Sequence, residues 1–177
     1  MEGAPRFVAD AMLGRLARWL RLCGLDVVYD PRLDDREIAR IAAREGRTVL
    51  TRDAALLRRR LVRDGLFIED QALGPQLRQV FAACGLAAER LVLFSRCVSC
   101  NGLLEEVAPA AVAGRAPPYV LRTQARFTRC PGCGRIYWAG TQVPAARARL
   151  AELLREEKAD GAGGPGEGPG DQFRPPA

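Results

Sequence analysis

Two kinds of side chain in this sequence are spaced for chemistry. Four of the six cysteines form two CxxC pairs, Cys97 with Cys100 and Cys130 with Cys133, in the runs RCVSCNG and RCPGCGRIYW. A CxxC turn lets two thiolates reach one ion, and two such turns build a tetrahedral four-cysteine site suited to Zn²⁺. With all four positions taken by protein, that ion is structural. The alternative is a redox role for either pair. Residues 101–129 separate the pairs, a longer span than the usual ~15–20, so a hairpin or loop excursion is expected between them. Gly134 frees the backbone just after the second pair. Cys23 and Cys84 sit in apolar helical surroundings and read as small core residues.

The second kind is aspartate. The chain has no histidine, which excludes a Ser-His-Asp triad, a Cys-His pair, a HExxH zinc site and any histidine base. Acid–base work falls to carboxylates, Lys, Tyr, Cys or water on a metal ion. Asp10, Asp30, Asp53 and Asp70 each stand just past a short apolar or β-branched run. In an open parallel sheet that edge is where ligands bind. Asp34, Asp35 and Glu37 open a helix near the same rim. Several carboxylates on one rim repel unless cations neutralise them, and hard oxygen ligands suit Mg²⁺ or Mn²⁺. Such a site supports hydrolysis of a phosphodiester. Local roles compete with this reading. Aspartate also caps helices and makes turns, so Asp35 is a cap, a ligand or both, and Asp30 before Pro31 reads as a turn residue.

The charge balance fits a polyanionic substrate. Net charge is +6, and Lys158 is the single lysine, so the positive charge is carried almost entirely by arginine, which donates to phosphate in pairs. Arg15, Arg18 and Arg21 recur every three residues beside Asp10. Arg52 adjoins Asp53, with Arg58, Arg59 and Arg60 a few residues on. These are candidate contacts to a polyanion's backbone, above all Arg15, Arg18, Arg21 and Arg52. The competing reading is a solvated amphipathic face. Phe127, Tyr137 and Trp138 lie among the arginines of the cysteine segment, where they serve either base stacking or a thin core.

The elements that must position these groups follow from periodicity. Strands are expected at 6–9, 26–29, 48–51, 66–69 and 91–94. Helices are expected at 11–23, after the Asp34-Asp35 cap to Gly46, at 54–63 and at about 75–84. This βα alternation implies a parallel sheet with right-handed crossovers. YVLR (119–122) reads as strand-like. Composition divides the chain into a first domain 1–94, a cysteine module with a C-terminal helix 95–155 and a Gly/Pro-rich, disordered tail 156–177. No apolar run approaches the ~18 residues needed to span a membrane, and the first residues lack a long apolar h-region. A reduced, cytoplasmic protein is expected.

The runs FVADAMLGRLARWLRLCGLDVVYD, DDREIARIAAREGRTVLTRD, CVSCN and CPGCGRIYWAG, in that order, resemble the Mut-seven C-terminal RNase family over roughly residues 5–142. The resemblance implies an α/β, PIN-like three-layer fold with a central parallel sheet, followed by a small zinc-ribbon module built on the four cysteines. It also implies a divalent-metal ribonuclease acting on RNA. The family's acidic positions fall on Asp10, Asp35 and Asp53, with Asp70 or Glu37 as a fourth, and the cysteines fall on its zinc ligands. One departure is visible. Family members often continue the last knuckle as G-S-H-W, where this chain has Gly140-Thr141-Gln142-Val143. The leading expectation is a metal-dependent ribonuclease with a catalytic Mg²⁺ or Mn²⁺ and a structural Zn²⁺, in which Arg15, Arg18, Arg21 and Arg52 and the zinc ribbon hold RNA. The alternative is a non-catalytic RNA- or ribosome-binding module. A third reading is a toxin with an antitoxin-like partner.

Overall fold

The computed structural model describes residues 4–138, 140 and 142–155. The tail read as disordered, 156–177, lies outside the described residues. Four strands make a parallel sheet in the order β2-β1-β3-β4: β1 (Arg6–Ala9), β2 (Asp26–Val28), β3 (Thr48–Thr51) and β4 (Gly65–Phe67). Side chains alternate across it, as the pleat requires. Phe7, Ala9 and Leu50 pack against α1 (Gly14–Leu22), α4 (Leu73–Ala83) and α6 (Gln142–Leu154). Val8 and Val49 pack with Ile38 and Ala42 of α2 (Asp35–Glu45) and Leu56 of α3 (Ala54–Leu57). Helices thus cover both faces. Among the described residues no helix is long and apolar enough to cross a membrane.

The helix boundaries follow local chemistry. α2 starts at a reciprocal capping box: Glu37 N–H donates to Asp34 Oδ1 at 2.8 Å, and Asp34 N–H donates to Glu37 Oε2 at 2.9 Å. The cap is therefore Asp34, which leaves Asp35 as the first helical residue. α3 ends at Leu57 rather than 63, because Arg58, Arg59 and Arg60 are all exposed and give a longer helix no face to bury. The strand expected at 91–94 does not form. Leu91 is buried in the core, Val92 is exposed, and Phe94 turns the chain with a left-handed φ of 56° while its N–H donates to Leu22 O at 2.9 Å.

The cysteine segment forms a second, antiparallel sheet in the order β5 (Glu105–Val107), β6 (Phe127–Arg129), β7 (Ile136–Trp138). Between β5 and β6 the excursion carries α5 (Pro118–Thr123). YVLR is thus helical and not a strand: Pro118 opens the helix, a position whose missing N–H costs nothing. Phe127, Val112, Ala116 and Ile136 make this unit's own core.

The two units share a seam along β2, the outer strand on one side of the first sheet. An open strand edge offers unpaired N–H and C=O groups, and here the first cysteine knuckle covers them. Val27 N–H donates to Asn101 Oδ1 at 3.1 Å. Asn101 Nδ2 donates to Asp26 Oδ1 at 2.7 Å. Arg47, itself buried, donates to the same Oδ1 at 2.7 Å, and Arg6 and Arg96 approach Oδ2 at 3.5 Å. Burial would raise the Asp26 carboxyl, but the Arg47 and Asn101 hydrogen bonds outweigh it and hold it below the usual range. Asn101 has a φ of 70°, which asparagine tolerates better than most residues. We expect Asn101→Gly, which keeps that backbone accessible, to lower stability by about 1–3 kcal/mol through the orphaned Val27 N–H. Urea unfolding midpoints measure this, and an unchanged midpoint would remove Asn101 from the seam.

Candidate functional site

The four knuckle cysteines converge. Cys97 and Cys133 sulfurs lie 3.5 Å apart, those of Cys100 and Cys130 3.3 Å, and all four lie within 4.8 Å of one another. Each knuckle is a tight turn: Asn101 N–H donates to Cys97 O and Gly134 N–H donates to Cys130 O, both at 2.9 Å. The residue after each second cysteine is left-handed, Asn101 at 70° and Gly134 at 74°. Gly102 packs so close that a Cβ there would meet Cys130 Sγ at 3.1 Å. The electrostatics ask for a cation. Burial raises the Cys97 thiol, yet the Tyr137 hydroxyl at 3.1 Å and the knuckle N–H groups bring it to about 7. Burial and the neighbouring sulfurs push Cys100 up to about 12. Four thiols this close ionise together only around a dication, so the donor set fits a structural Zn²⁺. Cys23 is outside this group, and burial pushes its thiol up to about 12.

The aspartates lie on the carboxyl rim of the parallel sheet. The chain leaves β1 for β2 on one side, then returns over the other face to β3, so the β1–β3 boundary is a topological switch point. Asp10 follows β1 there and is only 9% exposed. Thr51, fully buried at the end of β3, donates its hydroxyl to Asp10 Oδ2 at 2.7 Å. The same Oγ1 accepts the Asp53 N–H at 2.9 Å. One hydroxyl therefore ties the two aspartates of β1 and β3 together. Thr51 carries no charge, so nothing in its residue type marked it; its part depends on the register that pairs Ala9 with Leu50. No arginine among the described residues forms an ion pair with Asp10.

The remaining acids have identifiable local partners. Asp53 Oδ1 accepts the Ala55 N–H at 2.7 Å and caps α3. Asp35, at the head of α2, pairs with Arg59 Nη2 at 3.1 Å. Asp70 is exposed, and its Oδ1 accepts the Ala72 N–H at 2.7 Å in a turn. Glu37 belongs to the capping box. Asp10 and Asp53 follow β1 and β3 on the rim and are linked through Thr51, whereas Asp35 opens α2 in a separate contact with Arg59. Among the described residues, however, the cysteines are the set of three or more such side chains whose ligand atoms fall within 4.8 Å of one another.

The arginines divide as well. Arg18 is exposed. Arg15 is exposed too, and it has a partner of its own. Arg21 is not available to RNA. It is 3% exposed, and its guanidinium donates to Val27 O at 2.9 Å, Ser99 O at 2.7 Å, and Val98 O and Tyr29 O at 3.3 Å. The three-residue spacing suggested one face with Arg15 and Arg18. In the last turn of α1, though, Arg21 curls onto the β2 edge and the knuckle. Its burial lowers its pKa, with the Cys100 and Cys97 thiolates acting against that. Arg52 Nε is buried without an acceptor among the described residues. Phe127 and Tyr137 are buried core groups, while Trp138 is half-buried.

Comparison with known proteins follows the same outline. No curated protein and no solved structure matches the chain. The sequence model of the Mut7-C RNAse domain matches residues 5–150, which spans the parallel sheet, both knuckles and most of α6. The chain therefore belongs to the Mut7-C RNAse domain family.

Proposed function

We propose that this protein is a metal-dependent ribonuclease of PIN-like type. In this reading Asp10, Asp35 and Asp53 hold Mg²⁺ or Mn²⁺, with Asp70 as an outer acid, and the cysteine knuckles hold a structural Zn²⁺. The observation that carries it is Asp10. It is a buried carboxylate at a topological switch point with one hydrogen-bond donor and no ion-pair partner among the described residues. A carboxylate held by one hydrogen bond, with its other oxygen left open on that rim, suits a hard divalent ion. Bound there, the ion would supply an acidified water and neutralise charge on a phosphodiester.

The chain's own residues would do the rest. Thr51 fixes the Asp10 carboxylate through Oδ2, leaving Oδ1 without a hydrogen bond among the described residues. Arg52, beside Asp53 and partly exposed, offers its guanidinium to a phosphate oxygen. Asp35 would exchange its Arg59 contact for the ion. Arg15 and Arg18 lie on α1 after the same rim, and membership of the Mut7-C RNAse domain family makes RNA the proposed substrate. A cytoplasmic setting suits cysteines that serve as zinc-binding thiolates.

A second reading draws on Asp35 and Asp53, which already have local partners: a zinc-stabilised RNA- or ribosome-binding module in which the acids are caps. Mn²⁺ titration followed by electron paramagnetic resonance separates the two. The zinc-loaded wild type should bind Mn²⁺ saturably, and Asp10→Asn and Asp53→Asn should lose that binding. Thr51→Val should weaken Mn²⁺ binding by about 10–100-fold, the usual effect of losing a group that orients a ligand. Mn²⁺ that stays free with wild type supports the binding module instead.

A further inference from the structure

We infer that an arginine-lined cleft between α2 and the turn after α3 carries the sugar–phosphate backbone of single-stranded RNA away from the acidic rim. The inference rests on the ribonuclease reading for the identity of the strand. It begins at Asp35, where Asp34, Asp35, Arg36 and Arg59 line a cavity of about 420 Å³. It continues into a second cavity of about 340 Å³ lined by Arg36, Ala39, Arg40, Arg59, Arg60 and Leu61. Arg36 and Arg59 line both, so the two cavities adjoin.

Charge identifies the occupant. Arg36 and Arg40 stand one turn apart on α2, about 6 Å along its axis. Like charges at this spacing destabilise a helix, and the nearby acids are already engaged: Glu37 in the capping box and Glu45 with Arg44 and Arg47. Among the described residues no carboxylate pairs with Arg36, Arg40 or Arg60, and all three are exposed. Only Arg59 has an acidic partner, Asp35. Three unpaired guanidinium groups along adjoining cavities that begin at Asp35 match a run of phosphates. Leu61, 47% exposed, adds an apolar surface against which a ribose or base can lie.

The test is binding of labelled single-stranded RNA, and of DNA of the same sequence, to the zinc-loaded full chain carrying Asp10→Asn. Affinity is measured across a salt series. The triple variant Arg36→Gln, Arg40→Gln, Arg60→Gln should bind RNA roughly 100-fold more weakly at 0.1 M salt. Its log–log salt slope should fall by about 2, at ~0.7 per lost phosphate contact. A triple variant of exposed arginines elsewhere, Arg90→Gln, Arg122→Gln, Arg147→Gln, removes the same charge and should change neither. Equal losses on DNA support a phosphate contact. Loss on DNA with RNA unaffected overturns the proposal, as do equal effects from the two triple variants or an unchanged slope in the first. With Asp10 restored, cleft-dependent binding without cleavage would sink the ribonuclease reading alone. Cleavage with cleft-independent binding would sink the cleft alone.

Discussion

Removing the metal from the cysteine knuckles should melt the parallel sheet as well as the small antiparallel one. The knuckle backbone supplies two of the carbonyls that hold Arg21, and Asn101 supplies the acceptor for Val27 N–H on the β2 edge. Without the ion, four crowded thiols lose the reason for their turn, and Arg21 becomes a buried cation short of acceptors. Breaking a buried charged arrangement costs about 3–5 kcal/mol, and structural zinc contributes more than that to small modules. For a chain of this size, each kcal/mol moves the melting temperature by about 2–4 °C. Cys130→Ser, or chelation of the zinc, should therefore lower the melting temperature by roughly 10–20 °C in a single transition. Calorimetry measures this directly. Two separate transitions, with the upper one unmoved, would show that the seam does not couple the units.

Asp10→Asn should separate activity from stability. In a structural acid, loss of the charge breaks favourable contacts and destabilises. Asp10 has the Thr51 hydroxyl as its partner, and a neutral amide can still accept that hydrogen bond through its oxygen. The metal-free chain should then keep its stability to within about 0.5 kcal/mol. The same change should cut RNA cleavage by ~10³-fold, since a site ion is worth several kcal/mol to a developing charge. Urea midpoints and single-turnover cleavage read the two effects separately. A variant that is less stable and fully active would return Asp10 to a structural role.

Much of this molecule was legible because its chemistry is local. RFVA and TVLT are apolar or β-branched runs between helical periods, and both are strands. The CxxC pairs specify their own turns and meet as expected. What escaped depends on contacts across the chain. LVLF has strand composition, but Leu91 is buried in the core while Val92 is exposed, and the free edge of β2 is already covered by Asn101 and Arg21. YVLR lost to the proline before it. Arg21 looked like a member of an exposed row, and only the position of the knuckle makes it a buried tie. Thr51 is an ordinary strand residue until the pairing of β1 with β3 sets its hydroxyl between two aspartates.

The acidic rim, charged with a hard divalent ion, should cut RNA. Single-turnover cleavage of a labelled single-stranded RNA by the zinc-loaded chain, with and without Mn²⁺, tests it most directly. The account predicts cleavage that appears with Mn²⁺ and vanishes in its absence. Cleavage that is indifferent to Mn²⁺, or intact RNA at every Mn²⁺ concentration, would contradict it.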